Sequence, residues 1–296
     1  MSYEIYNEDC LEWFQRQPDN QYHAIITDPP YGLIEYSDKE LEKMKNGQGG
    51  IWRIPPSIGG SKRKPLPRFT VLTDDNLNNL SDYFNIWGQD ARKILVPGGH
   101  LFIATNPYLL PYVSMALMKA GFENRGVFVR LVRTFKGGFR PKLSEQEYEF
   151  VSTMPRSCWE PWAIFRKPFK GRLSENLKLW SAGGIRRNPD GTPFTDVILS
   201  ERTPRKEKEI APHPSLKPQS FMRKLVYCAL PLGKGTILDP FCGAGSTLAA
   251  AEAVGYSSVG IEINKEFYQM AKNSIPKLKL IEQEKKTGQR TFEDIK

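Results

Sequence analysis

Residues Thr236-Ile-Leu-Asp-Pro-Phe-Cys-Gly-Ala-Gly-Ser-Thr247 decide how this chain is built. Thr236 to Asp239 is a short apolar run ending on an acid, which predicts a buried strand reaching its carboxyl end. Gly243 and Gly245 then make a tight turn. Leu248-Ala-Ala-Ala-Glu-Ala-Val254 predicts a helix, and Gly255 stops it. A second strand, Ser258-Val-Gly-Ile-Glu-Ile263, comes next. Strand, glycine turn, helix and strand form one unit of an α/β sheet.

The same stretch narrows the ligand. Gly243 and Gly245 let backbone approach a bound molecule where a Cβ would clash. The helix amino end, from Ser246, favours an anionic group such as a carboxylate. Glu262, at the tip of the second strand and about 20 residues on, is placed to accept two ribose hydroxyls. A dinucleotide is the rival ligand. That fingerprint needs a third glycine at position 248, and the residue there is Leu248. Asp239 would sit badly beside a pyrophosphate but suits an ammonium. A ligand with ammonium, carboxylate, ribose and adenine is S-adenosylmethionine. An ordinary strand-turn-helix with no ligand is the plain alternative.

Asp28-Pro29-Pro30-Tyr31 follows a second buried-strand signal, Ala24-Ile25-Ile26-Thr27. The prolines fix φ and remove two backbone donors, so nearby carbonyls can face a ligand. Asp28 and one such carbonyl can accept both hydrogens of a planar NH₂ group, while Tyr31 stacks on its face. An exocyclic amine of a nucleobase fits, although a Pro-Pro turn after a strand is often plain structure.

Together the two motifs resemble the DNA amino-methyltransferases. With the tetrapeptide first and the glycine turn near the carboxyl end, the order resembles their β-group. Asn7-Glu8-Asp9-Cys10-Leu11-Glu12 is similar to the family's amino-terminal segment, with Glu8 where a glycine is usual. Arg92 to Ile103 resembles its next helix-turn-strand. His213-Pro-Ser-Leu-Lys-Pro218 resembles the segment that closes over the methionine end of the cofactor. The likeness covers roughly residues 1–34, 80–153 and 211–275. It implies S-adenosylmethionine as cofactor, held by Asp9, Cys10, Asp28, His213, Ser215, Lys217, Asp239, Pro240, Phe241, Gly243, Gly245, Ser246, Glu262 and Ile263. Asp28, Pro29, Pro30 and Tyr31 are then catalytic. The implied activity is methylation of adenine N6 in duplex DNA by base flipping. Cytosine N4 is the nearer alternative; an RNA base or a protein glutamine amide is the more distant one. A homodimer and a cognate restriction endonuclease are further partners the resemblance leaves open.

The 296 residues, 40% of them hydrophobic, suffice for one α/β domain with an insert. No apolar run reaches the roughly 18 residues of a membrane span, and Met-Ser-Tyr-Glu-Ile does not read as a signal peptide. Cys10, Cys158, Cys228 and Cys242 are scattered and the three histidines far apart. This argues against a metal site or a disulfide framework and for a reducing cytoplasm. The net charge of +9 suits a polyanionic partner. From Met44 to Thr70 there is no acid, while Lys62, Arg63, Lys64 and Arg68 stand among glycines and prolines. That predicts a mobile loop, either a phosphate clamp or a solvated insert. In the stretch 154–211, Arg186, Arg187, Arg202 and Arg205 are the candidates for DNA contact. Its aromatics, Trp159, Trp162 and Phe165 among them, read as core.

Strand signals sit at 23–27, 100–104, 127–133, 147–152, 236–239 and 258–262. Helix signals sit at 9–16, 80–95, 109–120, 219–229, 246–254 and 264–273. The resemblance implies a Rossmann-like seven-stranded methyltransferase sheet, mostly parallel with one reversed strand. Residues 1–153 form the catalytic half with a basic loop at 35–75, 154–211 a target-recognition insert, and 212–296 the cofactor half.

Overall fold

The computed structural model describes residues 3–30, 57–58, 61–62, 74–132 and 138–281. Its main sheet is built from β1 (Tyr3–Tyr6), β2 (Tyr22–Thr27), β5 (Leu95–Ala104), β6 (Glu123–Leu131), β7 (Trp159–Arg166), β8 (Val197–Leu199), β9 (Thr236–Asp239) and β10 (Ser257–Ile261). The spatial order is β1-β10-β9-β2-β5-β7-β6-β8. A separate antiparallel pair joins β3 (Ser57–Ile58) to β4 (Ser61–Lys62).

The expected seven strands are present with an eighth, the three-residue β8, paired to β6 from within the stretch 154–211. All the other pairings in this sheet are parallel, but β7 runs antiparallel to both β5 and β6. The reversed strand is therefore β7, which the sequence pattern places inside the recognition insert. Trp162 and Phe165 are fully buried on it, in the core of the sheet. The strand expected at 147–152 does not form. Tyr148 and Phe150 alternate with acids, but both side chains are exposed and no strand pairs with them.

Alternate residues of the central strands feed two cores, as the two-residue strand period requires. Ile25, Leu101 and Ile103 pack with α1 (Cys10–Gln15), α2 (Asp74–Ile94) and α3 (Leu110–Lys119). Ala24, Ile26, Phe102 and Ala104 pack with α6 (Gln219–Ala229) and α7 (Ser246–Val254) on the other face. Two shorter helices, α4 (Leu173–Trp180) and α5 (Arg205–Ile210), lie in the stretch 154–211, and α8 (Lys265–Leu278) packs on α7. Because β1, β2, β5, β9 and β10 run in parallel, Tyr6, Thr27, Ala104, Asp239 and Ile261 end on one edge. The reversal of β7 brings its first residues, Trp159 and Glu160, to that edge as well.

Candidate active site

The turn after β9 is shaped by its glycines. Gly245 has φ +83°, and a Cβ there would lie 2.5 Å from Ile275 Cγ1 on α8. Gly243 has φ +52°, and its Cβ would come within 3.2 Å of the His213 imidazole. Only glycine allows this close approach without strain. Glu262 follows β10 and is nearly buried. Its Oε2 accepts the Gly243 amide at 2.9 Å and its Oε1 accepts the Asn264 amide at 2.8 Å. Burial raises its pKa, and the two amide donors offset part of the rise. Two carboxylate oxygens offer about four lone-pair positions, so the geometry fits a pair of ribose hydroxyls at the same carboxylate.

Asp239 ends β9 just before the glycine turn, as expected. Its carboxylate is buried and turned into the fold, where Oδ1 accepts Thr27 Oγ1 at 2.7 Å and the Phe241 amide at 3.2 Å. Burial pushes its pKa up to about 6, against the Thr247 and Thr27 hydroxyls that pull it down. Its bonds to Thr27 and the Phe241 amide tie the turn to the end of β2. Pro240 is buried beside it, and Phe241 stacks on Trp87 with ring centroids 6.0 Å apart.

The remaining expected cofactor residues line the same edge. Asp9 caps α1, its Oδ1 accepting Leu11 N at 2.8 Å and Glu12 N at 3.3 Å, and Cys10 is buried under that helix. Burial pushes the Cys10 thiol up to about 12 and also raises Cys228 and Cys242, so these three buried cysteines stay protonated. The Ser246 carbonyl accepts Gln219 Nε2 at 3.0 Å. Ile263 is exposed, and its carbonyl accepts Asn7 Nδ2 at 3.1 Å. His213 stands edge-on to Phe267 at 4.4 Å, and its Nδ1 accepts the Ser215 amide at 3.2 Å.

From His213 over the glycine turn, the segment runs on to the tip of β2, where Lys217 reaches Asp28. The Lys217 ammonium donates to Asp28 Oδ2 and lies 3.1 Å from Glu160 Oε1. Burial opposes charge on Lys217, yet the Asp28 and Glu160 carboxylates hold its pKa above the ordinary lysine value. Glu160 in turn meets Arg130 at 2.7 Å. Burial opposes its charge too, but Lys217 and Arg130 hold the carboxyl below its usual range. Pro29 and Pro30 line a crevice too narrow to hold a water molecule, with Leu80, Phe84, Thr105 and Leu109. A wider groove of about 490 Å³ beside Tyr6, Trp13 and Tyr22 shares none of these residues.

Sequence reasoning missed Arg130 and Glu160. The available signal was a single charge in each of two apolar runs, Val127-Phe-Val-Arg-Leu131 and Trp159-Glu-Pro-Trp-Ala-Ile-Phe165. Their Cα atoms are partners in the β6–β7 register. Among the expected DNA contacts, Arg186 packs within the fold. It lies over the Tyr227 ring at 4.4 Å and donates to the Tyr256 hydroxyl, near the amino ends of β9 and β10 and on the edge opposite Asp28. Arg187 beside it is exposed and donates to the Gly191 carbonyl at 2.8 Å. Arg202 and Arg205 are exposed just beyond β8, with Arg205 2.8 Å from Glu209. Tyr31, Arg63, Lys64 and Arg68 lie outside the described residues, and of Lys62 only the backbone pairing is described. Among the described residues, no helix is long and apolar enough to cross a membrane, and no group of His, Cys, Asp and Glu is arranged to hold a metal ion.

The carboxyl edge thus carries an acid-Pro-Pro turn after β2 and a glycine turn after its neighbour β9. Residues 22–273 match the DNA methylase family N6_N4_Mtase, and the chain belongs to that family of N6-adenine and N4-cytosine DNA methyltransferases. It is similar to the Type II methyltransferase M.HindIII of Haemophilus influenzae, 25% identical over 300 residues that cover 92% of this chain and 94% of the relative. In fold it is similar to the Thermus thermophilus protein TTHA0409 solved with S-adenosyl-L-methionine. That likeness has TM-score 0.57 and 19% identity, covering 94% of each chain. The cytosine-N4-specific PvuII DNA methyltransferase shares the fold at TM-score 0.58 and 13% identity, over 96% of this chain and 88% of that one.

Proposed function

We propose that this DNA methyltransferase moves a methyl group from S-adenosylmethionine to the exocyclic N6 of adenine within a specific duplex sequence. The observation that carries this reading is the convergence of Asp28, held by Lys217, with the Gly243 turn and Glu262 on one sheet edge. Bound S-adenosylmethionine supplies a methyl already activated by its sulfonium. Glu262 and the amides of the glycine turn hold the ribose, and the segment from His213 to Lys217 covers the turn.

The target base leaves the helix to reach this edge, at a cost of a few kcal/mol. Tyr31 offsets part of that cost by stacking. Asp28 and the carbonyl before Pro29 or Pro30 accept the two amine hydrogens and aim the nitrogen lone pair at the methyl carbon. In-line placement near 3–3.5 Å supplies much of the acceleration. Asp28 need not be a strong base, because the aminium product sheds its proton readily. The buried thiols of Cys10, Cys228 and Cys242 stay protonated, which suits direct transfer without a covalent cysteine intermediate.

Adenine is favoured over cytosine by the acid at the first position of the tetrapeptide, where a serine is more usual for cytosine in the resembled family. The fold alone does not choose between the bases. The deciding experiment is modified-base sequencing with nucleoside chromatography on DNA from cells expressing the wild type or Asp28→Ala. N6-methyladenine at one short sequence, absent with the variant, is expected. N4-methylcytosine would establish the alternative, and unmodified DNA from the wild type would overturn both.

A further inference from the structure

Four alternating charges run across the sheet edge from the insert to the tetrapeptide. Arg130 is the second-to-last residue of β6. Its NH1 is 2.7 Å from Glu160 Oε2, its Nε donates to Ser200 Oγ at 3.0 Å, and its NH2 donates to the Glu201 carbonyl at 3.1 Å. The guanidinium also lies over the Phe221 ring at 5.0 Å. Glu160 contacts Lys217, and Lys217 contacts Asp28. Buried ion pairs are weak sources of stability, since apolar residues of similar volume often serve as well. What such a chain does supply is a fixed geometry, because each charge has one low-energy place while its neighbours stay put. Its outer end is the backbone just after β8, next to the exposed Arg202 and Arg205. Its inner end is the proposed catalytic acid.

We propose that Arg130 and Glu160 are positioning residues that orient Lys217, and through it Asp28, with the segment after β8 held against β6 as their outer support. This rests on the function proposed above. The planar Arg130 fork cannot serve Glu160, Ser200 and Glu201 together unless that segment lies against β6. Loss of that support leaves Glu160 less constrained and Asp28 less well aimed. The packing of the segment after β8 is thereby coupled to transfer at the tetrapeptide.

Single-turnover methyl transfer, with labelled S-adenosylmethionine and a duplex carrying the site found by sequencing, tests the coupling. Glu160→Gln should slow transfer by about tenfold or more, as loss of one charged orienting contact implies. Dissociation constants for cofactor and DNA should stay within about twofold, and Glu160→Asp should recover part of the rate. Ser200→Ala, a mild change, should slow transfer by about threefold, and the double variant should be little slower than Glu160→Gln alone. A wild-type rate in Glu160→Gln, or losses that multiply in the double variant, would overturn the coupling. If circular dichroism shows Glu160→Gln unfolded, Ser200→Ala combined with Arg130→Lys decides by the same criterion. A wild type that transfers no methyl to DNA would remove the functional reading itself. A wild type that transfers, with an unaffected Glu160→Gln, removes only the present inference.

Discussion

Thr27 Oγ1 donates to Asp239 Oδ1 at 2.7 Å. The bond joins the residue before Asp28 to the residue that ends β9, so the Asp28 turn and the glycine turn share one buried brace. Replacing Thr27 by Val keeps the shape and removes the donor. We expect a loss of about 1–3 kcal/mol, the usual cost of a buried acceptor left short of a partner. Urea unfolding monitored by fluorescence measures it, and an unchanged midpoint would show that the brace is dispensable.

Asp239 also gives stability a pH dependence. Its pKa rises from 3.8 to about 6 on folding, chiefly through burial. The folded state therefore binds the proton more tightly, and this group's contribution is full at low pH and declines as pH rises through the window from 3.8 to 6. Asp239→Asn should flatten that part of the profile. Parallel wild-type and variant curves between these pH values would mean that the carboxyl is already ionised when buried.

Asp28→Ala should abolish transfer while leaving S-adenosylmethionine affinity within about threefold, because the acid addresses the target amine more than the cofactor. Calorimetry decides this. Joint loss of binding and activity would assign Asp28 to the cofactor.

Glu262→Gln should raise the S-adenosylmethionine dissociation constant by about tenfold or more, since hydrogen bonds to a charged acceptor contribute roughly 1.5–3 kcal/mol. NAD should not bind in a competition assay. Displacement of the cofactor by micromolar NAD would favour the dinucleotide alternative.

Arg186→Ala should cost about 1–2 kcal/mol of stability through the lost Tyr227 contact and the Tyr256 hydrogen bond. The methylated sequence should be unchanged. Altered site choice in the modified-base reads would return Arg186 to the DNA interface.

Local chemistry made much of this site readable in advance. The turn at Gly243, the acid at Glu262 and the tetrapeptide at Asp28 each depend on residues close in sequence. What lay hidden depended on register. Arg130 and Glu160 look like isolated charges until β6 and β7 are paired, and the Lys217–Asp28 contact joins residues 189 apart in sequence. The Tyr148–Val151 stretch failed as a strand for the opposite reason. It has the local alternation but no neighbouring strand to bond, and local pattern without a partner does not make a sheet. The contact of Arg186 with the Tyr227 ring was likewise hidden, because it joins residues 41 apart in sequence.

The pairing of Ala24 with Ile237 in the middle of the sheet has a consequence for how the chain is made. On a ribosome adding about 5–20 residues per second, β2 would emerge roughly 10–40 seconds before β9 does. Through that interval one edge of β2, rich in apolar side chains, has no permanent neighbour, and β1 likewise awaits β10. Newly made chains thus pass through a stage in which open strand edges invite association with other chains. Their yield should depend on chaperone supply during synthesis more steeply than the stability of the finished protein suggests.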